Sequence, residues 1–134
     1  VSQKGVKVNL IIRGLCCLRA GVPGLSENIR VRSVLGRYLE HSRVFRFANG
    51  QGENQPLHLI GSADLMGRNL DRRVESLVLI QRKEHITRLQ GLLDLGLSEE
   101  TASWELQETT WTRNKKKGLA NAHSVLIDHY AKDR

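Results

Sequence analysis

The sequence has no long apolar stretch and few aromatic residues. No apolar run approaches the roughly 18 residues that a membrane span requires, and the opening VSQKGVKVNL lacks the apolar core of a signal peptide. Aromatic residues make up only 4% of the chain, which leaves few surfaces on which single-stranded bases could stack. The lack of a long apolar run argues against a membrane span and a signal peptide. It predicts a cytoplasmic protein, with the membrane periphery as the other location that the sequence allows.

Cysteine is also scarce. The two cysteines, Cys16 and Cys17, are adjacent in the sequence. They are poorly placed to bridge each other, and they lack the spacing of a redox or zinc motif. We expect both to be buried as small hydrophobic side chains. No metal site is predicted within the chain.

The size of the chain favours a single soluble domain over residues 1–134, because 134 residues with 40% hydrophobic content can bury one ordinary core. The run VKVNLII predicts a buried strand over residues 6–12, after only five preceding residues. Buried strands usually lie in parallel sheets whose neighbours arrive through helical crossovers. We therefore expect the chain to be the later part of a longer protein.

The net charge of +7 is distributed unevenly. Between residues 13 and 46 there are seven arginines, no lysine and only two glutamates. Arginine offers a rigid fork that binds phosphate or carboxylate oxygens bidentately, whereas lysine would serve as well for solubility. This selection of arginine favours a polyanion as partner. The alternative is that these arginines are solvated surface charges. The arginines are Arg13, Arg19, Arg30, Arg32, Arg37, Arg43 and Arg46.

The overall pattern predicts an α/β fold, with a mixed sheet flanked by helices and a mainly helical second half. Arg13 follows the first strand directly, at the sheet edge where open α/β sheets bind ligands. Helical spacing of apolar residues over 28–42 places His41 at or just past the end of a helix. The other predicted elements are strands over 43–49, 57–63 and 73–80, a turn over 50–56, a polar loop over 64–72, and helices over 83–97 and 119–132.

The segment IGSADLMGRNLDRRVE concentrates polar and cationic side chains. Hydroxyl and backbone donors with guanidinium groups around them suit a phosphate pocket. Alternatively, Arg72 or Arg73 forms a structural ion pair with Asp71 or Glu75. The candidate phosphate-binding residues in this segment are Ser62, Asp64, Asn69 and Arg72.

Two long segments resemble the last catalytic domain of bacterial polyphosphate kinases. They are VNLIIRGLCCLRAGVPGLSENIRVRSVLGRYLEHSRVFRF and LIGSADLMGRNLDRRVE. The resemblance implies a phospholipase-D-like α/β domain, the second of two in that family. The wider superfamily carries His-x-Lys and later Gly-Ser-x-Asn. This chain departs from that motif, with His41-Ser42-Arg43 and Gly61-Ser62-Ala63-Asp64, in the manner of the kinase.

The resemblance implies roles for individual residues. Arg13 and His41 would bind the phosphates of ATP, and His41 is the candidate catalytic residue, which could protonate the leaving oxygen. Arg43 would contact phosphate beside it. The covalently phosphorylated histidine and the ligands of Mg²⁺ would lie in a preceding domain, outside this chain. The implied partners are ATP, inorganic polyphosphate, the preceding domains and further copies of the enzyme in a homo-oligomer.

Two other function classes remain as alternatives. A phosphodiesterase or nuclease of phospholipase-D type would use His41 as nucleophile, although Arg43 replaces the motif lysine. A basic nucleic-acid-binding module would use the net charge and the run TRNKKKG, although we expect residues 115–117 to form a solvated loop. Of the other histidines, we expect His58 to lie in a strand. His85, His123 and His129 are expected at the surface of helices.

Overall fold

The computed structural model describes residues 1–34, 36–50 and 55–132, and these residues form two compact units. The first unit comprises Val1–Glu40 and Leu95–Arg134, and the second comprises His41–Asp94. The sequence predicts a single domain over residues 1–134. Among the described residues, no helix is both long enough and apolar enough to cross a membrane.

The first unit contains a four-stranded mixed sheet. Its strands are β1 (Val8–Ile11), β2 (Ile29–Val34), β6 (Ser103–Gln107) and β7 (Thr110–Arg113), in the order β1-β2-β6-β7. Strand β1 pairs with β2 in parallel, and the other two pairs are antiparallel. The predicted strand over 6–12 is thus confirmed in a shorter form, inside a mixed sheet.

The core of the first unit lies on one face of this sheet. Val31 and Leu106 are cross-strand partners on β2 and β6, and both are buried with Ala20. Fully burying a side chain such as Val31 contributes about 1.5 to 3 kcal/mol. Residues that pack against this cluster include Leu10, Ile12, Cys16 and Trp111.

The helix expected over residues 28–42 is wrong, because residues Ile29–Val34 form β2. The apolar residues there fit helical spacing, but the sequence IRVRSV also alternates and contains three β-branched residues, which pack well on a pleated sheet. Pairing with β1 on one side and β6 on the other decides the outcome. Of the remaining positions, Leu35 lies outside the described residues, and the described residues 36–43 contain no helix.

The arginines of β2 make structural ion pairs. Arg32 is 1% exposed and donates to the carbonyls of Leu97 at 2.6 Å and Ser98 at 2.9 Å, and it also pairs with Glu99. These carbonyls belong to the end of a helix, whose last C=O groups have no partner within the helix. Arg30 donates to Glu105 and to Glu99, and the hydrogen bond to Glu105 raises the pKa of Arg30.

The second unit contains a three-stranded antiparallel sheet and two helices. Strands β3 (Val44–Phe47), β4 (Leu57–Gly61) and β5 (Leu77–Ile80) lie in the order β3-β4-β5. The predicted hairpin of two strands is confirmed, whereas part of the predicted turn, residues 51–54, lies outside the described residues. His58 lies on β4, as expected. It is buried, and its Nε2 is 3.1 Å from Oε1 of Gln90.

The helices differ from the prediction in part. Helix α1 (Gly67–Arg72) occupies most of the segment expected to be a loop, and α2 (Lys83–Leu97) has the predicted bounds. The last three residues of α2 belong to the first unit. Helix α3 (Ala122–Ala131) lies within the predicted helix over 119–132.

The expected mainly helical second half is not confirmed, because β6 and β7 form a hairpin between α2 and α3. Its residues Trp104, Leu106 and Trp111 alternate with polar ones, which is the pattern of a half-buried strand. Glu108 adopts a φ of 51° in the connection between the strands. A positive φ is uncommon for glutamate, so the residues of this turn give little sign of a hairpin.

The two cysteines differ from each other in burial. Cys16 is half-buried and packs against the core of the first unit. Cys17 is exposed, which contradicts the expectation that both are buried. The segment that carries them is irregular, so neighbouring side chains need not share an environment.

Candidate phosphate-binding site

Arg13 lies just beyond the carboxyl end of β1, as the sequence predicts. The backbone N–H of Ile12 donates to the carbonyl of Arg32 at 2.7 Å, which continues the pairing with β2 up to the residue before Arg13. Nη1 of the half-buried Arg13 donates to the backbone carbonyl of Glu40 at 3.1 Å. A permanently charged fork is therefore held at the sheet edge of the first unit.

His123 contacts the segment that ends at Glu40. Its Nδ1 accepts the backbone N–H of Tyr38 at 3.1 Å, and its Nε2 lies 3.5 Å from Oε2 of Glu40. His123 is only 7% exposed, so the expectation that it lies on the surface is wrong. It occupies the first turn of α3, which packs inward at this end. His85 and His129 are exposed, as expected.

His41 and Arg43 lie together in the second unit. Both precede β3 in irregular chain. Arg43 Nη1 lies 3.1 Å from Nδ1 of His41, and Nη2 lies 3.4 Å from Nε2. His41 is exposed and stands in irregular chain, so its expected place at a helix end is wrong. An exposed imidazole beside a guanidinium group is accessible to an anion.

Asp64 holds the guanidinium group of Arg43. Nε of Arg43 donates to Oδ1 of Asp64 at 3.0 Å, and Nη2 donates to Oδ2 at 3.2 Å. This is the bidentate geometry of a strong arginine–carboxylate pair. The side chains are 19% and 21% exposed. The backbone carbonyl of Arg43 also accepts the N–H of Gly61 at 3.1 Å, so the arginine is fixed at its backbone and at its side chain.

Ser62 and Asn69 converge on Glu75. Oγ of Ser62 donates to one carboxylate oxygen of Glu75, and Nδ2 of Asn69 donates to the other at 2.7 Å. These hydrogen bonds, that from Ser62 foremost, lower the pKa of Glu75. Arg73 Nη1 lies 3.9 Å from Oε1 of Glu75, which is one of the alternative ion pairs that the sequence allows. Glu75 thus organises two of the predicted site residues.

A cavity of about 450 Å³ lies beside these groups in the second unit. It is lined by the polar residues Ser42, Arg43, Ser62 and Ser76, together with apolar residues of the sheet and α2. Gly61 is also in its wall. A Cβ there would lie 2.7 Å from the carbonyl of Ser76 and closer still to Leu77. Any larger residue would therefore push the end of β4 away from Ser76.

The structure brings together most of the predicted residues of the second unit. Arg43 contacts both His41 and Asp64, and Ser62 and Asn69 meet at Glu75. Arg72 is the last residue of α1 and is exposed. Arg13 belongs to the first unit.

Three residues that contact the predicted site residues, Glu40, Glu75 and His123, are not predicted as site residues from the sequence. The sequence indicates Glu75 only as a partner for arginine. A signal for His123 was present in the sequence, because Asn121 is a favourable N-cap residue and places a histidine in the first turn of a helix. Glu40 gave no such signal, since its contacts depend on tertiary structure.

Carboxylate, histidine and cysteine side chains do not gather into a metal site in the part of the chain that the structure describes. No group of three or more of them is placed to hold a metal ion within residues 1–34, 36–50 and 55–132.

Comparison with known proteins finds polyphosphate kinases that resemble this chain. A family model described as polyphosphate kinase C-terminal domain 2 matches residues 1–125. The chain is 54% identical over 132 residues to a polyphosphate kinase of Streptomyces coelicolor, covering 95% of this chain and 17% of that protein. It is 47% identical over 125 residues to a polyphosphate kinase of Pseudomonas putida, with coverages of 92% and 17%.

A solved structure supports the same relationship. The crystal structure of polyphosphate kinase from Porphyromonas gingivalis matches with a TM-score of 0.86 at 28% identity, covering 98% of this chain and 20% of that one. The chain spans 17% of the length of the first two relatives named above. Because the family model covers nearly all of the sequence, the chain belongs to the polyphosphate kinase family and corresponds to its C-terminal domain 2.

Proposed function

We propose that this chain is a phosphate-binding catalytic domain of a polyphosphate kinase, an enzyme that reversibly transfers the γ-phosphate of ATP to inorganic polyphosphate. The observation that carries the proposal is the 54% identity to a protein named polyphosphate kinase across 95% of the chain. The domain would be phospholipase-D-like, the second of two. It would work with the preceding domains of the same polypeptide, in a cytoplasmic or membrane-peripheral homo-oligomer.

Within the proposed site, His41 and Arg43 meet the anion together. Asp64 occupies Nε and Nη2 of Arg43 and fixes the plane of the guanidinium group, while Nη1 is directed toward His41. An anion beside the exposed His41 would then contact the imidazole and the edge of the guanidinium group. Asp64 acts by orienting Arg43, since a carboxylate would repel phosphate.

The remaining predicted residues have supporting roles in the proposal. Ser62 lines the same cavity as Arg43, and its hydroxyl group is held by Glu75. Asn69 holds the other oxygen of Glu75. Arg72 is exposed at the end of α1 and contributes positive charge to the approach of the polyphosphate. Arg13, which belongs to the first unit, also binds phosphate in the proposal.

The proposed reaction has two phosphoryl transfers. A histidine of the preceding domain attacks the γ-phosphorus of ATP, the bond to the bridging oxygen breaks, and ADP leaves. The terminal oxygen of polyphosphate then attacks the phosphorus, the P–N bond breaks, and the histidine is released. Charge spreads over the transferring oxygens in both steps, so positioning and electrostatics supply most of the catalysis. Arg13, His41 and Arg43 contribute to both steps, and His41 protonates the oxygen of ADP that leaves in the first. Mg²⁺ would neutralise phosphate charge, and we propose that its ligands lie outside this chain.

Binding of tripolyphosphate to the 134-residue chain tests the proposed phosphate site. Calorimetry should detect weak binding whose affinity falls steeply as the salt concentration is raised from roughly 50 to roughly 500 mM. The Debye length then drops from above roughly 10 Å to about 4 Å, so the guanidinium contacts are screened. Arg43→Gln should abolish it, and Arg19→Gln, at an exposed position paired with Glu108, is the matched control. Binding that does not change with salt, or that Arg43→Gln leaves intact, would overturn the proposal.

The chain alone should show no ATP-dependent synthesis of polyphosphate, because the nucleophilic histidine is assigned to the preceding domain. A radiolabelled or luminescent assay on the purified chain measures this. Synthesis by a preparation free of other kinases would contradict that assignment, since it would require a nucleophile within residues 1–134.

A further inference from the structure

His123 is held rigidly at the beginning of α3. Asn121 is the N-cap of this helix, and its side chain accepts the backbone N–H groups of His123 at 3.0 Å and Ser124 at 3.3 Å. Such a cap stabilises a helix by about 1 kcal/mol. The position of the imidazole is therefore fixed by the helix that carries it and by its own burial.

Both nitrogens of the His123 ring contact one short segment. Nδ1 accepts the N–H of Tyr38, so in the neutral ring the proton lies on Nε2, which faces the carboxylate of Glu40 at 3.5 Å. The ring of Tyr38 packs against the imidazole, with centroids 5.8 Å apart. At Gly36, a Cβ would lie 3.0 Å from Oδ1 of Asn121 and closer still to Nδ1 of His123. The absence of a side chain at residue 36 is what admits the imidazole.

The same segment supplies the carbonyl that Arg13 binds. Nε2 of His123 faces the side chain of Glu40 at 3.5 Å, and the backbone oxygen of Glu40 accepts Nη1 of Arg13 at 3.1 Å. We propose that His123 is a positioning residue, which acts through Glu40 to hold the guanidinium group of Arg13 in the orientation that binds phosphate. This inference rests on the proposed function, because it takes Arg13 to be a phosphate ligand.

A residue with only a packing role would not need this arrangement. A buried apolar side chain would fill the same space without facing a carboxylate, and burying a polar ring is costly unless both nitrogens have partners. His123 makes one contact to backbone and one to side chain of the segment 36–40. The two contacts can be removed separately, which makes the inference testable.

The test uses a full-length polyphosphate kinase that carries this chain as its C-terminal domain. His123→Asn keeps an acceptor near the position of Nδ1 and removes the group that faces Glu40. His123→Gln reaches toward Glu40 and removes the acceptor for Tyr38. Glu40→Leu leaves the imidazole in place and removes the acceptor that Nε2 faces. The exposed His129, on the same helix, provides the control His129→Asn.

We expect His123→Asn and Glu40→Leu each to raise the KM for ATP about tenfold, with kcat and melting temperature changed much less. His123→Gln should preserve more of the wild-type KM, and His129→Asn should match wild type. If His123→Asn does not fold, Glu40→Leu carries the test, since it leaves the buried imidazole in place. A KM for ATP that Glu40→Leu leaves unchanged would overturn the inference.

A double-mutant cycle separates this inference from the proposed function. If His123 acts through Arg13, His123→Asn should have little further effect in the Arg13→Lys background. If Arg13→Lys lowers activity and His123→Asn has the same fold effect with Arg13 as with Lys at that position, the role of His123 is refuted. The phosphate site then remains intact. Full activity of Arg13→Lys would instead refute Arg13 as a phosphate ligand, and with it the role given to His123, while the proposed function would stand on His41 and Arg43.

Discussion

The arginines of β2 and the arginine beside His41 illustrate two uses of one residue type. Arg32 is 1% exposed and satisfies the end of a helix, and Arg30 bridges Glu99 and Glu105. Arg43 also pairs with a carboxylate, yet it is 19% exposed, lines a cavity and touches an exposed histidine. The difference shows that a high density of arginine does not by itself identify a polyanion site. Burial and partners decide which arginines can reach a ligand.

The largest effect should come from His41, in a full-length kinase that carries this domain. His41→Ala should lower turnover by about one to three powers of ten, on the order of 1.4 to 4 kcal/mol of transition-state stabilisation. Folding should be nearly unchanged, because His41 is exposed. Steady-state assays at saturating ATP measure the effect. Wild-type turnover of this variant would show that His41 has no catalytic role. It would then give no support for distinguishing Arg43, which contacts His41, from the structural arginines of β2.

His41→Gln refines that experiment. Glutamine can hydrogen-bond to phosphate but cannot carry a transferable proton, so this variant separates phosphate contact from acid catalysis. Turnover close to that of His41→Ala would support the protonating role. Turnover close to wild type would reduce His41 to a phosphate contact.

The next largest effect should come from Arg32, and it should be a loss of stability and not of phosphate binding. Arg32→Met leaves the carbonyls of Leu97 and Ser98 without their buried donor, which should cost on the order of 3 kcal/mol of unfolding free energy. Arg30→Met removes ion pairs that are about half exposed and should cost below about 1 kcal/mol. Urea denaturation of the 134-residue chain measures both. Equal losses for the two variants would contradict the structural role given to Arg32.

The smallest expected effect is a change with pH in the free energy of unfolding, and it comes from Glu75 in the second unit. Hydrogen bonds from Ser62 and then Asn69 lower the pKa of Glu75 in the folded state. The unfolded chain therefore binds the proton more tightly. The stabilisation is present above the ordinary glutamate pKa of about 4.3 and is lost as the pH falls through the lower folded value. Glu75→Gln should reduce the loss of stability between pH 6 and pH 3 in urea titrations. An unchanged slope would show that Ser62 and Asn69 do not hold the carboxylate.

The local sequence pattern predicted the helices and strands correctly where the spacing of apolar residues fits only one type of element. The hairpin of β3 and β4 and the bounds of α2 follow from strict alternation and from a long amphipathic repeat. It failed for β2, because six residues that fit two periodicities are assigned by their neighbours β1 and β6. It also failed for the β6–β7 hairpin, whose turn uses Glu108 at a positive φ instead of glycine.

The candidate site was predictable in its residue types and less so in its geometry. Motif resemblance gave His41, Arg43, Ser62 and Asp64, and three of these four are linked by direct contacts. It could not show that Asp64 orients Arg43, because that pair joins positions 21 residues apart. Nor could it show that His123 is buried against Glu40, since a histidine in a polar first turn is usually exposed.

The most direct test of the central claim compares Arg13→Lys with Arg30→Lys in a full-length kinase that carries this domain. Both changes keep the charge and lose the planar fork. The account predicts that Arg13→Lys lowers ATP-dependent synthesis of polyphosphate by about one to three powers of ten. Arg30→Lys, in an exposed ion pair of the sheet, should stay close to wild type. Equal activity of the two variants would contradict the assignment of Arg13 to phosphate and the distinction between ligand-binding and structural arginines.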